Sequence, residues 1–507
     1  MILGMGREEF RRAVGMWGIA LCVYAAAAGW MFMRFGMAWS LGDLPESDQI
    51  ARVVPAYIVA EVATIPVGGK LSDRIGVRNI MAFAPFIFII GCMLCMISPS
   101  IEVMVFFRAI QGAGAGLLLG MAFSSVGKYY IPDKRGKCHE LMTAAFAIGS
   151  LFGTAVGYFL CDNFGWRSGF IVLSVIVLAG FILAWIFLPE HEHLGRSADP
   201  LGLAFAAVVF GGATLYTQMI NEDIELISIP SFLILAVIIV FTYLLMRHCH
   251  RSEDPAIPVR ISIFEKKMIV LMFMFSLCGL GLIQYFFKLY LTYYEFNIYK
   301  ASAMFALLIL GAAGPAMLGG KLVFKTGAMP WIIVGSSIVT IGLMLTNLIA
   351  DQSILGLGIS LFVFGMGLGC IVTEILCSVQ AIAPTEHVGQ HTGNLMAVRM
   401  LGILAGNAVV GTYISNVVDA RRDHTPIDMA TVDDLLAEVV DHVKEGIHTV
   451  AESLDTGFVM TVIIMAMITT LLTAMAHTLG KEDAEAIIAF NEANPEPSED
   501  AGESGSE

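Results

Sequence analysis

Six ionisable residues stand inside long apolar runs of this 507-residue chain: Arg34, Glu61, Arg108, Lys288, Glu374 and Arg399. A charge near the centre of a bilayer costs about 2.5–3.5 kcal/mol on insertion scales, so each one needs a reason. Carboxyls in such surroundings can take up and release protons. Glu61, near the middle of its run, reads either as a proton carrier or as the partner of a buried base. Glu374 leaves function and structural pairing equally open. Arg108 lies six residues from the end of its run, about 9 Å deep at 1.5 Å per residue. At that depth its charge can act on a neighbouring carboxyl or serve a buried pair. Arg34 and Lys288 lie near run ends, where snorkelling of a long cationic side chain competes with a functional role. Gln111 follows Arg108 by three residues and Gln284 precedes Lys288 by four, which extends each charge into a polar stripe on one helix face.

The elements that must carry these residues are membrane helices. The chain is 57% hydrophobic and 14% charged, far from the roughly 45–50% and 25% of soluble domains. With about 20 mostly apolar residues needed to cross the hydrocarbon, the sequence predicts spans near 14–36, 52–70, 80–98, 102–125, 140–161, 168–188 and 201–219. Seven more follow near 229–247, 268–291, 302–321, 331–349, 353–378, 394–417 and 457–478. Placing both termini inside puts 19 Lys/Arg in cytoplasmic segments and six in external ones, with four in spans. That asymmetry fits the positive-inside rule. Arg7, Arg11 and Arg12 ahead of an apolar run mimic a secretory signal, but the run is too long and no small-residue cleavage site follows.

The net charge of −14 is local. Segment 417–456 carries ten acids and three bases, and segment 481–507 carries nine acids and one base, so these two sum to −15 and leave the rest near neutral. A basic nucleic-acid surface is excluded. Within the first segment, 431–455 shows an apolar stripe suited to an amphipathic helix on the outer surface. The tail from 479 to 507 has the composition of a disordered segment. Cys92 and Cys95 form a C-x-x-C in mid-helix, where they read as small packing residues rather than a redox or metal site. No histidine spacing suggests a metal, so no cofactor is expected.

An internal repeat underlies the span count. Gly68-Gly69-Lys70-Leu71 recurs as Gly319-Gly320-Lys321-Leu322 at an offset of 251. Gly112, Gly114 and Gly116 recur as Gly365, Gly367 and Gly369, and Gly149 and Gly153 as Gly402 and Gly406, at 253. Two homologous six-helix halves with an inserted hairpin account for this, giving 6+2+6. Equivalent elements fall on the same membrane side, so the repeats are parallel, and such halves rock about a shared site.

The loop Gly69-Lys70-Leu71-Ser72-Asp73-Arg74-Ile75-Gly76-Val77-Arg78 resembles the major facilitator signature G-x-L-[AS]-D-[RK]-x-G-[RK]-[RK], with Val77 as its one departure. Its glycines allow a tight turn and close helix approach. Asp73 can accept from amides at a helix end or pair with a base, so breaking its contact can gate one conformation. Gly69, Asp73, Arg74, Gly76 and Arg78 form the expected conformational-switch loop. Arg108-Ala-Ile-Gln111-Gly112-Ala-Gly114-Ala-Gly116 resembles the family's fourth-helix motif, whose arginine is linked to proton transfer. Asp199-Pro200-Leu201-Gly202, Asp254-Pro255-Ala256-Ile257-Pro258-Val259-Arg260 and Pro384-Thr385-Glu386-His387-Val388-Gly389 resemble the fourteen-helix drug:proton antiporter family. Two features depart from it. The fifth-helix motif, here Gly149, Gly153 and Gly157, lacks its proline and last glycine, and the first-helix acid is replaced by Arg34.

The resemblance implies an all-α integral membrane protein of the major facilitator fold. Its parts are a cytoplasmic N-terminus (1–13), a first half (14–188), an inserted hairpin with linkers (189–267), a second half (268–478) and the acidic tail. It implies a cavity lined by spans 1, 4, 9 and 12, with Arg34, Gln111, Gln284 and Lys288 as substrate candidates. Arg108, Glu61 and Glu374 are then the proton-coupling candidates, and Gly149, Gly153 and Gly157 pack helices. The expected activity is proton-coupled export of small amphipathic organic molecules across the plasma membrane, by a monomer driven by the proton gradient. Uptake of an organic anion by symport is the alternative, and a transporter-fold sensor a remote one. No P-loop and no catalytic constellation at a membrane face appear, which argues against ATP-driven transport and against an enzyme.

Overall fold

A computed structural model describes residues 6–43, 52–189, 199–219, 228–252, 254–257, 298–326, 354–383 and 387–401, with residue 404 and scattered positions between 330 and 345. Eleven helices are bounded within them: α1 (Arg7–Asp43), α2 (Val53–Arg74), α3 (Val77–Met81), α4 (Ala84–Met96), α5 (Ile101–Tyr129), α6 (Pro132–Phe164), α7 (Arg167–Phe187), α8 (Pro200–Met219), α9 (Ile229–Arg251), α10 (Ile298–Thr326) and α11 (Ile354–Ile382). A further helical stretch runs over 388–401. The expected spans at 268–291 and 457–478, the surface helix at 431–455 and the acidic tail lie outside the described residues, as do Gln284 and Lys288.

Helix starts follow local chemistry. Ser100 caps α5 by accepting from the Val103 amide, Ser228 caps α9 by accepting from Ser231, and Asp199 accepts from Gly202 at the start of α8. The expected span 80–98 is interrupted, with α3 ending at Met81 and α4 restarting at Ala84. Pro85 in the first turn of α4 suits that restart, because a helix start does not need its missing N–H. Gly76, between α2 and α3, adopts φ 86°, which a side chain would strain.

Among the described residues, eight helices are long and apolar enough to cross a membrane. On α9, Phe232, Leu233, Ile239 and Tyr243 point outward and exposed, a surface suited to lipid rather than water.

The two halves repeat at atomic detail. A Cβ on Gly112 or Gly116 of α5 would overlap the Tyr57 or Glu61 carbonyl of α2, and one on Gly365 or Gly369 of α11 would overlap the Leu308 or Ala312 carbonyl of α10. Likewise Gly91 abuts Gln111 as Gly342 abuts Phe364. Each pair is related by the offsets of 251 and 253 seen in the sequence. Small residues at these crossings let the backbones meet, which is how helices pack without a hydrophobic driving force. In the same way, Gly149, Gly153 and Gly157 of α6 sit on Tyr24, Ala28 and Phe32 of α1, one turn apart on both helices. The halves meet where α6 packs on α10 and where Gly69 packs on Gly389 and Gly393.

Candidate functional site

Two polar clusters and one isolated carboxyl occupy this frame. The first cluster surrounds Arg108, which is wholly buried in α5. Its Nη1 donates to Gln111 Oε1 at 2.6 Å, its Nη2 to the Gly29 carbonyl at 3.2 Å and its Nε to the Val53 carbonyl at 3.5 Å. The guanidinium lies 4.3 Å over the Tyr57 ring, whose hydroxyl donates to the Ala26 carbonyl at 2.8 Å. One cation thereby ties α1, α2 and α5 together. Glu61 is 2% exposed, one turn along α2 from Tyr57, and close enough to Arg108 for electrostatic interaction. Gln111 is buried too, with Nε2 donating to Cys92 Sγ at 3.0 Å. In the second half the positions equivalent to Tyr57, Glu61, Arg108 and Gln111 are Leu308, Ala312, Leu361 and Phe364, so this polar cluster has no twin there. Arg34 lies within α1.

The second cluster gathers on the signature segment, whose residues Gly69 to Arg74 form the end of α2 rather than a loop. Asp73 accepts from the amides of Gly389 and Gln390 at 2.8 and 2.7 Å, and Lys128 lies 3.0 Å from the same carboxylate. Those amides open the helical stretch 388–401, where free N–H groups and the positive end of the helix favour an anion. Lys70 donates to Asp254 Oδ1 at 2.6 Å, to the Pro255 carbonyl at 2.9 Å and to Gln390 Oε1 at 2.9 Å, and Arg74 pairs with the other Asp254 oxygen. Beside it, Arg135 donates to the Gln380 carbonyl at 2.8 Å and His139 bonds Gln380 Oε1 at 2.9 Å. At this end of the bundle the halves are locked together. Arg78 stacks over the ring of Trp185 in α7 at 4.9 Å.

Glu374 stands apart. It is fully buried in α11, both carboxyl oxygens lack a hydrogen-bond partner among the described residues, and the carboxyl lies directly on Gly319 of α10. Only a glycine leaves room for it there. Arg399 lies 5.7 Å from the Phe146 ring of α6. Arg108 and Glu61 therefore share one site, whereas Glu374 belongs to the other half.

Lys70, Lys128, Asp254, Gln380 and Gln390 carry the lock without having been singled out as site residues from sequence. The signal that could have found them was motif membership, since Lys70, Asp254 and the residues around Gly389 all fall in quoted motifs.

The model of the Major Facilitator Superfamily matches residues 16–407. Among known proteins, Multidrug resistance protein 3 of Bacillus subtilis (strain 168) is 25% identical over 417 residues, 79% of each chain. Riboflavin transporter RibZ of Clostridioides difficile (strain 630) is 26% identical over 381 residues, 73% of this chain and 80% of that one. Among solved structures, the human organic anion transporter MFSD10 aligns with TM-score 0.61 at 14% identity, covering 91% of this chain and all of that one. The proton:xylose symporter XylE aligns at 0.54 and 14%, over 90% and 96%. At such identities the two structures speak for the fold alone.

Proposed function

The chain belongs to the Major Facilitator Superfamily as a multi-pass membrane transporter, and on that premise we propose proton-coupled export of small amphipathic organic molecules by alternating access. The observation that carries the coupling is the buried Arg108–Tyr57–Glu61 cluster, a carboxyl beside a fixed cation at a helix crossing. Export draws support from relatives named Multidrug resistance protein 3 and Multidrug export protein EmrB. RibZ, at similar identity, is named for one organic compound. That favours a second reading, selective carriage of a single organic compound, which includes uptake of an organic anion by symport.

The test is purified protein in liposomes with an imposed pH gradient, screened against cationic, neutral and anionic compounds. Uphill accumulation that follows the gradient and collapses with a protonophore is the expected result. Transport indifferent to the gradient would remove proton coupling. Counterflow of unlabelled against labelled compound separates a carrier from a sensor, which would show none.

The full architecture proposed is fourteen spans as 6+2+6 with both termini cytoplasmic in the plasma membrane, working as a monomer with only substrate, protons and lipid as partners. The locked end then faces the cytoplasm, because Arg74, Arg78, Lys128, Lys134 and Arg135 gather there. Single cysteines at 133 and 260 should label from the cytoplasm, and at 223 and 436 from outside. Labelling of 223 and 260 from one side would contradict the fourteen-span count.

A further inference from the structure

We infer that the chain at 254–257, which leads from the inserted hairpin α8–α9 toward the second half, is a clasp of the cytoplasmic gate that holds both halves at once. The clasp makes contacts with both halves. Its side chain faces the first half: Asp254 pairs with Lys70 at 2.6 Å and with Arg74, both buried on α2. Its backbone also reaches the second half: the Pro255 and Ala256 carbonyls accept from Gln390 Nε2 at 2.7 and 3.0 Å. Lys70 closes the circuit by donating to Pro255 and to Gln390 Oε1. On the second-half side His387 lies 3.9 Å from Asp254, and the hairpin side adds Asp199 and Cys249 at the Ala256 and Ile257 amides.

A third attachment fixes the clasp to the hairpin itself. Asp199, at the start of α8, accepts from the Ala256 amide at 3.2 Å and bonds His248 of α9 at 2.8 Å. The hairpin is thus anchored at 254–257 on the same loop that Asp73 uses to cap the second half. Gln390 is shared by both devices: its backbone amide goes to Asp73 and its side chain to the clasp. The halves cannot part at this end with all of these bonds intact. Lys70 and Asp73 must both release Gln390, and the clasp must leave either Lys70 and Arg74 or Gln390. Neutralising Asp254 removes the counter-charge of two buried cations and so weakens the closed state. The hairpin then acts on transport through gate stability, without any contact to substrate.

The inference rests on the alternating-access reading, and the experiment separates the two. Full-length protein in lipid nanodiscs is compared by hydrogen–deuterium exchange with its Asp254→Asn, Asp254→Glu and Asp73→Asn variants. Asp254→Asn is expected to speed exchange about tenfold at 387–394 and 69–78, although the Gly389 and Gln390 amides bond Asp73 and not Asp254. Segment 101–120 should stay unchanged, and Asp254→Glu should stay within about twofold of wild type. If Asp254→Asn cannot be purified, Arg74→Gln must give the same local pattern. Acceleration by Asp73→Asn alone would overturn the clasp and leave the gate standing. No acceleration by either would overturn both. Acceleration throughout, 101–120 included, would reduce the clasp to a general stabiliser and overturn it as well.

Discussion

Arg108→Ala is expected to abolish uphill, proton-driven accumulation in liposomes while the protein still inserts and still exchanges substrate down its gradient. The geometry separates two consequences of that change. The Gly29 and Val53 carbonyls lie within helices and have intrahelical partners, so losing Arg108 leaves mainly Gln111 Oε1 unsatisfied, at about 1–3 kcal/mol. The vacated volume beneath α1 and α2 adds a packing loss of the order seen for large-to-small core changes, about 2–5 kcal/mol. Thermal stability should therefore fall, but the gate at the other end of α2 should hold. Loss of coupling would have a different origin, because the buried cation that interacts electrostatically with Glu61 has gone. Arg108→Lys distinguishes these. It keeps the charge but lacks the planar fork that reaches three acceptors at once. Reduced stability with surviving accumulation is the expected lysine phenotype. Normal gradient-driven accumulation in Arg108→Ala would refute the coupling role.

The sequence made the scaffold legible because membrane helices leave a coarse signal and the repeat leaves a fine one. Gly112 and Gly116 recur as Gly365 and Gly369 because the same carbonyls must be approached in both halves. The surroundings of Arg108 were illegible for a physical reason: two of its three acceptors are backbone carbonyls, which any residue supplies. The gate was hidden differently. Lys70 and Asp254 are 184 residues apart and Lys70 and Gln390 are 320 apart. In a linear reading the basic loops around them serve only to set orientation. Asp73 could be seen as a helix-end acceptor, but which helix it caps depended on how the halves dock. Glu374 shows the same limit, since its carboxyl packs against Gly319 on another helix and nothing in its own stretch of sequence marks that contact.

Substrate charge is where sequence and geometry combine in a second large effect. Read by family position, the cavity helices offer Arg34, Arg108 and Lys288 against one carboxylate, Glu374. The guanidinium of Arg108 is already engaged by Gln111, Gly29 and Val53, and Arg34 and Lys288, assigned by family position alone, are the cations we propose to meet a ligand. A buried unpaired cation is costly, so a bound anion or zwitterion gains what a cation would forfeit. Organic anions should therefore compete for transport at least about tenfold better than matched cations, roughly 1.4 kcal/mol in binding. Arg34→Gln or Lys288→Gln should erase that preference and leave coupling intact, whereas Arg108→Ala should do the reverse. Glu374→Gln should leave anion competition undiminished, because the carboxyl packs against Gly319 of α10. Competition assays with isosteric cation and anion pairs decide it. Strong competition by lipophilic cations, unchanged in Glu374→Gln and unaffected by organic anions, would show that complementarity to these bases does not select the substrate.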